Sequence, residues 1–149
     1  MGTKTQRGAH PARSGLIILD GFLGVTAVLG GVALLLGWLG IPADLLGGSP
    51  FAGYTVPALA LIVLVGGSGV LASVLLLRRS AQGLAASGIA GLIILIFEAV
   101  ELVVIGFSWL LAVYIALGLA ILALAAGLWL VGRDAPADTV ARARTGGIT

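Results

Sequence analysis

Two carboxylates stand inside an apolar stretch of this chain, and they offer its most distinctive chemistry. Residues 92–106 read LIILIFEAVELVVIG, which places Glu98 and Glu101 three positions apart. Residues at this spacing share one face of a helix, and no Lys or Arg occurs between Arg79 and Arg133. Desolvation and mutual repulsion both disfavour two ionised carboxylates. We therefore expect at least one to be protonated and the pair to exchange protons as a unit.

The glutamate pair supports two main interpretations. In the first, both side chains are protonated and structural, and they donate hydrogen bonds to Thr26, Ser68, Tyr114 or a backbone carbonyl. In the second, they form a proton, cation or ligand site that opens towards the outer side of a membrane. A water-filled vestibule without a specific ligand is a third reading. Ionisable residues inside a membrane are treated as functional by default, because their insertion is unfavourable.

The helix that carries the pair has a seam of small and polar residues. Ser87 and Gly91 extend the stripe of Glu98 and Glu101, and together with Tyr114 they are the candidate neighbours of the site. The opposite face is aliphatic and consists of Ile89, Ile93, Ile96, Val100 and Val103. We expect the seam to face other helices and the aliphatic face to contact lipid.

The composition predicts that this helix lies in a bilayer. Apolar residues make up 60% of the 149-residue chain and charged residues only 9%, against about 25% charged residues in soluble domains. Such a composition cannot cover a core with a polar surface, so the lipid bilayer is the expected partner of most of the chain. A second copy or another membrane protein is a further candidate partner.

Four apolar stretches are long enough to cross a bilayer. The first, of about 24 residues, would rise about 36 Å as a helix, more than the apolar thickness of a membrane. We predict an all-α, antiparallel up-and-down bundle of four transmembrane helices. The predicted spans are 16–39, 57–77, 84–105 and 109–131, within a domain of residues 16–132. Residues 1–15 and 133–149 are predicted to be polar, irregular cytoplasmic tails.

The basic residues predict the orientation. All eight fall on one side of the four-span arrangement: Lys4, Arg7, Arg13, Arg78, Arg79, Arg133, Arg142 and Arg144. Basic residues concentrate in cytoplasmic loops, so both termini should lie in the cytoplasm. Trp38, Tyr54 and Trp109 would then mark the outer boundary and Trp129 the inner one.

The remaining polar and small residues of the spans are predicted to have mainly structural roles. Asp20, near the inner end of the first span, is expected to reach the interface and pair with a nearby arginine (Arg13, Arg78, Arg79 or Arg133), and a role in transport is the minor alternative. Small residues allow close helix contact in lipid, and Gly69 with Ser73 forms one such pair, although the glycines at 66, 67 and 69 are equally compatible with a bend in the helix. Ala112, Ala116 and Ala120 form a ridge on the fourth span, which Ala123 and Gly127 continue.

Several classes of chemistry have no residues to support them. The chain has no cysteine and a single histidine, His10, so thiolate sites and multi-histidine metal sites are excluded. No phosphate-binding loop, nucleophile elbow, zinc-protease motif or dinucleotide-binding motif occurs. We expect no cofactor, no metal and no catalytic residues, and the sparse basic tails do not favour nucleic-acid binding.

Two short outer segments carry a family resemblance. Residues 48–51 read GSPF, with Tyr54 and Pro57 following, and residues 105–109 read IGFSW, with Tyr114 and Gly118 following. These motifs resemble those of small, functionally uncharacterised four-helix membrane proteins of bacteria, over about residues 16–131. The resemblance implies a four-span bacterial inner-membrane protein and implies no activity.

The sequence therefore predicts a small multi-pass membrane protein. The first functional interpretation is a non-enzymatic accessory or structural membrane subunit. The alternative is a proton- or cation-coupled transporter or channel protomer that uses Glu98 and Glu101. An outer cavity that reaches Glu98 would favour the alternative, whereas dry burial of both acids would favour the accessory subunit.

Overall fold

Four long helices form the protein in the computed structural model, which describes residues 4–42, 47 and 53–145, with side chains for 11–42, 47 and 53–132. They are α1 (Lys4–Leu35), α2 (Thr55–Leu77), α3 (Gly83–Val104) and α4 (Trp109–Thr145). Each holds a segment long and apolar enough to cross a membrane: Pro11–Leu35, Thr55–Leu77, Gly83–Val104 and Trp109–Gly132. The prediction of four apolar, membrane-length helices is confirmed.

The ends of the helices follow local chemistry. After α1, Gly37 adopts a φ of 69°, and the N–H groups of Gly37 and Trp38 donate to the carbonyls of Leu34 and Ala33. This is the Schellman pattern, which ends a helix and satisfies its last carbonyls. It stops α1 at Leu35, four residues before the predicted end of the first span.

The helix boundaries differ from the sequence prediction in the predicted tails. The α1 backbone is already helical at Lys4, and the α4 backbone continues to Thr145. Extending an existing helix adds a hydrogen bond for each residue fixed, except at Pro11 and Pro136, which lack an N–H, and it avoids the entropy loss of a new nucleus. Alanine and arginine are also strong helix formers, which explains why polar composition alone did not mark the helix ends.

Glycines set the contact between α1 and α2. A Cβ on Gly24 would lie 2.6 Å from the backbone nitrogen of Val70, and a Cβ on Gly69 would lie 2.8 Å from the nitrogen of Gly24. Gly31, further along α1, faces the carbonyl oxygen of Ala58, earlier in α2. The two helices are therefore in backbone contact. The predicted packing role of Gly69 and Ser73 is confirmed, since both are buried.

The contact between α3 and α4 also uses glycines, and it corrects one prediction. Gly91 of α3 faces the carbonyl oxygen of Gly118 of α4, and a Cβ on Gly118 would meet Ile94. The predicted alanine ridge is wrong as a packing surface, because Ala116 and its continuation at Ala123 are exposed. Small residues occur on several faces of α4, so their four-residue spacing did not identify the buried face.

The core lies along the centre of the bundle. It is a cluster of fully or nearly buried apolar side chains: Leu16, Leu23, Ala27, Val65, Leu76, Ile94, Ile121 and Ala125. Large apolar side chains also remain exposed on every helix, including Ile89, Ile96 and Val103 on the predicted lipid face of α3. Exposed apolar surface of this extent is expected where the solvent is lipid.

One departure from α-helical geometry lies in α2. Residues Leu61–Gly66 form a π-helical segment between the α-helical parts Thr55–Ala60 and Gly67–Leu77. Such segments are rare and occur frequently at functional sites. Leu61 and Leu64 of this segment line the pocket described below.

Candidate acidic pocket

All four helices contribute to a pocket of about 450 Å³. It lies between the C-terminal halves of α1 and α3 and the N-terminal halves of α2 and α4. The lining is mainly apolar and includes Leu34, Ile41, Pro57, Leu61, Leu64, Ile93, Ile96, Phe97, Val104 and Leu110. The polar side chains in its wall are those of Thr26, Tyr54, Glu98, Glu101 and Tyr114.

Glu98 and Glu101 both line this pocket, as their shared helix face predicts. Glu98 is 3% exposed, and its Oε2 atom is buried without a hydrogen-bond partner among the described residues. Glu101, one turn closer to the helix end, is half-buried. A fully desolvated carboxyl oxygen without a partner is unfavourable, so this atom marks a position where a donor or a cation would be stabilised.

Thr26 and Ser68, two of the suggested hydrogen-bond partners of the glutamates, bond to backbone carbonyls instead. The Thr26 hydroxyl donates to the carbonyl oxygen of Phe22 at 2.7 Å, and the Ser68 hydroxyl donates to that of Val65 at 3.1 Å. Both bonds return to the helix of the hydroxyl group, as serine and threonine side chains often do. Tyr114, the third suggested partner, lies in the pocket wall with the two glutamates.

The other two predicted neighbours lie on the same seam but outside the pocket. Ser87 is eleven residues from Glu98 on α3, a rise of about 16 Å, and Gly91 packs against Gly118 and Leu122. The seam prediction is confirmed, since Ser87, Gly91 and Glu98 are all buried. Of the four seam residues, only Glu98 and Glu101 line the pocket. Ser87 bonds to Asp20 and Gly91 packs against α4, both outside the pocket.

Asp20 corrects the prediction of an interfacial ion pair. Its side chain is completely buried and accepts a hydrogen bond from the Ser87 hydroxyl through Oδ2, while Oδ1 has no partner among the described residues. Arg13 donates instead to the carbonyl oxygen of Leu76 at 2.7 Å, at the end of α2. Arg78 and Arg79 are exposed, and the side chain of Arg133 lies outside the described residues.

The Asp20–Ser87 bond joins α1 to α3 across the bundle, and the sequence analysis missed it. The sequence does contain a signal for this bond, because Asp20 and Ser87 lie at similar distances from the inner ends of the predicted spans 16–39 and 84–105. A buried polar group in lipid needs a partner from another helix. The choice of α3 over the other helices depends on how the helices are arranged, which the sequence pattern does not encode.

The charged side chains of the four apolar segments are unevenly distributed, with the two pocket glutamates far from the single arginine. Within the four apolar segments, the charged residues are Arg13, Asp20, Glu98 and Glu101. Arg13 lies near the end opposite the pocket and is bonded to Leu76. The pocket therefore presents two carboxyl groups with no cationic side chain from these segments to compensate them.

The loop elements near the pocket agree in part with their predictions. Ser108 accepts a hydrogen bond from the N–H of Leu111 at 3.1 Å, which confirms it as the N-cap of α4. Tyr54 donates to the carbonyl oxygen of Pro42 at 2.8 Å. The predicted cap at Ser49 and the GSPF segment lie outside the described residues.

Comparison of the chain with protein-family models, curated proteins and solved structures finds no match. The chemistry of the pocket must therefore be argued from its own residues. No cluster of three or more metal-binding side chains occurs among the residues that the structure describes. Two carboxyl groups in a mainly apolar cavity can bind protons or a cation, and the apolar wall can accept a hydrophobic group.

Proposed function

We propose that this protein is a non-enzymatic membrane protein that binds a cation or protons at Glu98 and Glu101, as the protomer of a proton- or cation-coupled transporter or channel. The observation that carries the proposal is the pocket of about 450 Å³ whose wall contains both carboxyl groups. The accessory-subunit interpretation expects these acids in dry contact with a neighbouring helix. A cavity at both acids instead supports the coupled-transport interpretation.

We further propose that the bundle is antiparallel and up-and-down, with both termini on the cytoplasmic side of the cell (inner) membrane. The support is the one-sided distribution of the eight basic residues. The bond from Arg13 to the carbonyl oxygen of Leu76 fits this arrangement, because it brings Arg13 to the end of α2 where Arg78 and Arg79 follow. The pocket then opens in the outer half of the membrane.

The pocket chemistry gives a simple coupling scheme. An empty pocket favours protonated glutamates, because an ionised carboxylate is poorly solvated there. A bound cation favours the ionised form through direct attraction. Proton and cation therefore compete for the same carboxyl group, and entry of one releases the other. Glu98 is the stronger candidate for this exchange, since its Oε2 atom is buried and unpartnered.

The test is proton movement in reconstituted vesicles. Purified protein in liposomes loaded with a pH-sensitive dye should move protons when a cation gradient is imposed, with Na⁺, K⁺ and organic cations tried in turn. The variant with both Glu98→Gln and Glu101→Gln keeps the shape of the two side chains and removes the exchangeable protons. Its proton movement should fall to the level of empty liposomes.

The control is Asp138→Asn, the same carboxyl-to-amide change in the predicted tail, which should leave proton movement unchanged. Circular dichroism and gel filtration must show that the double variant is folded. A folded double variant with wild-type proton movement would contradict the proposal and return the accessory-subunit interpretation to first place.

A further inference from the structure

Building on the proposed function, we infer that the ligand of the pocket is an organic cation with a bulky apolar body, such as a quaternary ammonium or phosphonium compound. Such a cation would be the substrate of the Glu98–Glu101 site. Three properties of the pocket carry it: the scarcity of oxygen ligands, the apolar and aromatic wall, and the buried unpartnered oxygen of Glu98.

The shortage of oxygen atoms argues against a bare metal ion. Ions such as Ca²⁺ and Mg²⁺ require six or more oxygen ligands, and the pocket supplies mainly carbon. Two of its three hydroxyl groups are already donors to backbone carbonyls, that of Thr26 to Phe22 and that of Tyr54 to Pro42. An organic cation needs no complete shell of oxygens, because its charge is spread over a group that apolar walls can contact.

The size and wall of the pocket fit a hydrophobic body. A volume of about 450 Å³ falls within the range of small-molecule sites, roughly 300–1,000 Å³. Tyr54, Phe97 and Tyr114 contribute aromatic rings to the wall. The faces of such rings attract organic cations, most strongly where water is excluded. The body of the ligand would gain from burial against the aliphatic residues of α2 and α3.

The carboxyl groups determine the sign of the charge. Glu98 is 3% exposed, and its Oε2 atom has no partner among the described residues. A cationic ligand would stabilise the ionised carboxylate at this position, whereas an anionic ligand would be repelled. A neutral ligand, such as a lipid acyl chain, would fill the volume and leave this oxygen without a partner.

The experiment compares two ions of the same shape and opposite charge. Binding of tetraphenylphosphonium and tetraphenylborate to the purified protein in nonionic detergent is measured by equilibrium dialysis, with empty micelles as the reference. We expect saturable binding of the phosphonium at one site per chain and no saturable binding of the borate. Since protons compete, phosphonium affinity should rise by at least tenfold between pH 5 and pH 8.

Three variants separate charge from shape. Glu98→Gln should weaken phosphonium binding at least tenfold at pH 8 and reduce its pH dependence, since only Glu101 then remains to exchange protons in the pocket. Ala60→Phe, which adds a ring at a residue of the pocket wall, should reduce binding by filling the volume. Asp138→Asn should bind as the wild type does. Equal binding of both ions, or wild-type binding by folded Glu98→Gln protein, would overturn the inference.

The phosphonium-binding experiment and the proton-movement experiment can fail independently. If the phosphonium does not bind but the vesicles still move protons through Glu98 and Glu101, the substrate class is wrong and the coupling stands. If the phosphonium binds through Glu98 and no proton movement occurs, the substrate class stands and the protein is a binding protein rather than a transporter.

Discussion

The glycine contact between α1 and α2 gives a prediction in which the sign of the effect differs between matched variants. Gly24→Ala adds a Cβ that would lie 2.6 Å from the backbone nitrogen of Val70 and 3.1 Å from the carbonyl oxygen of Gly66. Gly69→Ala adds one 2.8 Å from the nitrogen of Gly24 and 2.9 Å from the carbonyl oxygen of Asp20. These obstacles include backbone atoms, so a rotamer change cannot remove the clash.

The expected magnitude combines two opposing terms. Ordinary contact begins at 3.4 Å, so relieving the Gly24 clash alone requires the helices to separate by about 0.8 Å. Overpacking of this kind destabilises by about 1–3 kcal/mol, and a gap of 0.5–1 Å forfeits about a quarter to a half of the dispersion energy of the neighbouring contacts. The higher helix propensity of alanine offsets about 1 kcal/mol. The net expectation is a loss of about 1–2 kcal/mol.

Gly88→Ala and Gly127→Ala are the matched controls. Both glycines are helical, and a Cβ at either would meet nothing within 4 Å. The propensity term then acts alone, and stability should rise by about 0.5–1 kcal/mol. The expected difference between the two sets of variants is therefore about 1.5–3 kcal/mol, with opposite signs relative to the wild type.

The assay is reversible unfolding by sodium dodecyl sulfate in mixed micelles, followed by circular dichroism. The midpoint reports the total change in stability, so the packing term and the helix-propensity term both contribute to it. If Gly24→Ala and Gly69→Ala match Gly88→Ala in midpoint and slope, α1 and α2 do not make backbone contact and the described packing is wrong.

Two further predictions test the second buried carboxyl group and the orientation. Ser87→Ala should lower the free energy of unfolding by about 1–3 kcal/mol, because a buried carboxyl oxygen of Asp20 loses its donor, whereas Ser68→Ala removes only a bond within its own helix and should change it little. Equal unfolding midpoints of these two variants would contradict the Asp20–Ser87 contact. Since the chain has no cysteine, single cysteines at Ser80 and at Asp44, the latter outside the described residues, should react with an impermeant thiol reagent from opposite sides of the membrane. Reaction from the same side would reject the four-span orientation.

The helices and the seam were predictable because they depend on local patterns. Mean hydropathy and length identify an apolar helix without reference to its neighbours, and a period of 3.6 residues places Ser87, Gly91 and Glu98 on one face. Both features are properties of a single segment. The structure confirms both features. Gly37 ends α1 four residues before the predicted end of the first span, whereas the start of α1 at Lys4 and the end of α4 at Thr145 lie 12 and 14 residues beyond the predicted spans.

The pairings between helices were not predictable in the same way. Asp20 was expected to reach the interface because it lies one turn from the predicted inner end of the first span, yet it is fully buried and its partner is on α3. Glycine at position 118, rather than the alanine ridge, forms the α4 contact. In an apolar helix, small residues with four-residue spacing can occur on several faces, so the spacing alone does not identify the packing face. Only the arrangement of all four helices selects the face that is buried, and the pocket follows from that arrangement.

An apolar layer divides the polar seam of α3 into two parts, and this limits how the pocket could serve transport. Ile94 lies between Ser87 and Glu98 on α3, and Leu23 lies between Asp20 and Thr26 on α1; both side chains are fully buried. A cation held at Glu98 therefore has no polar path to Asp20 in this arrangement. Passage beyond the layer would require α1 to move Leu23 away from Ile94, and the backbone contact of Gly24 with Gly69 of α2 restrains such a movement of α1. If the protein transports its ligand, Gly24→Ala should change the rate of transport much more than the affinity of the pocket.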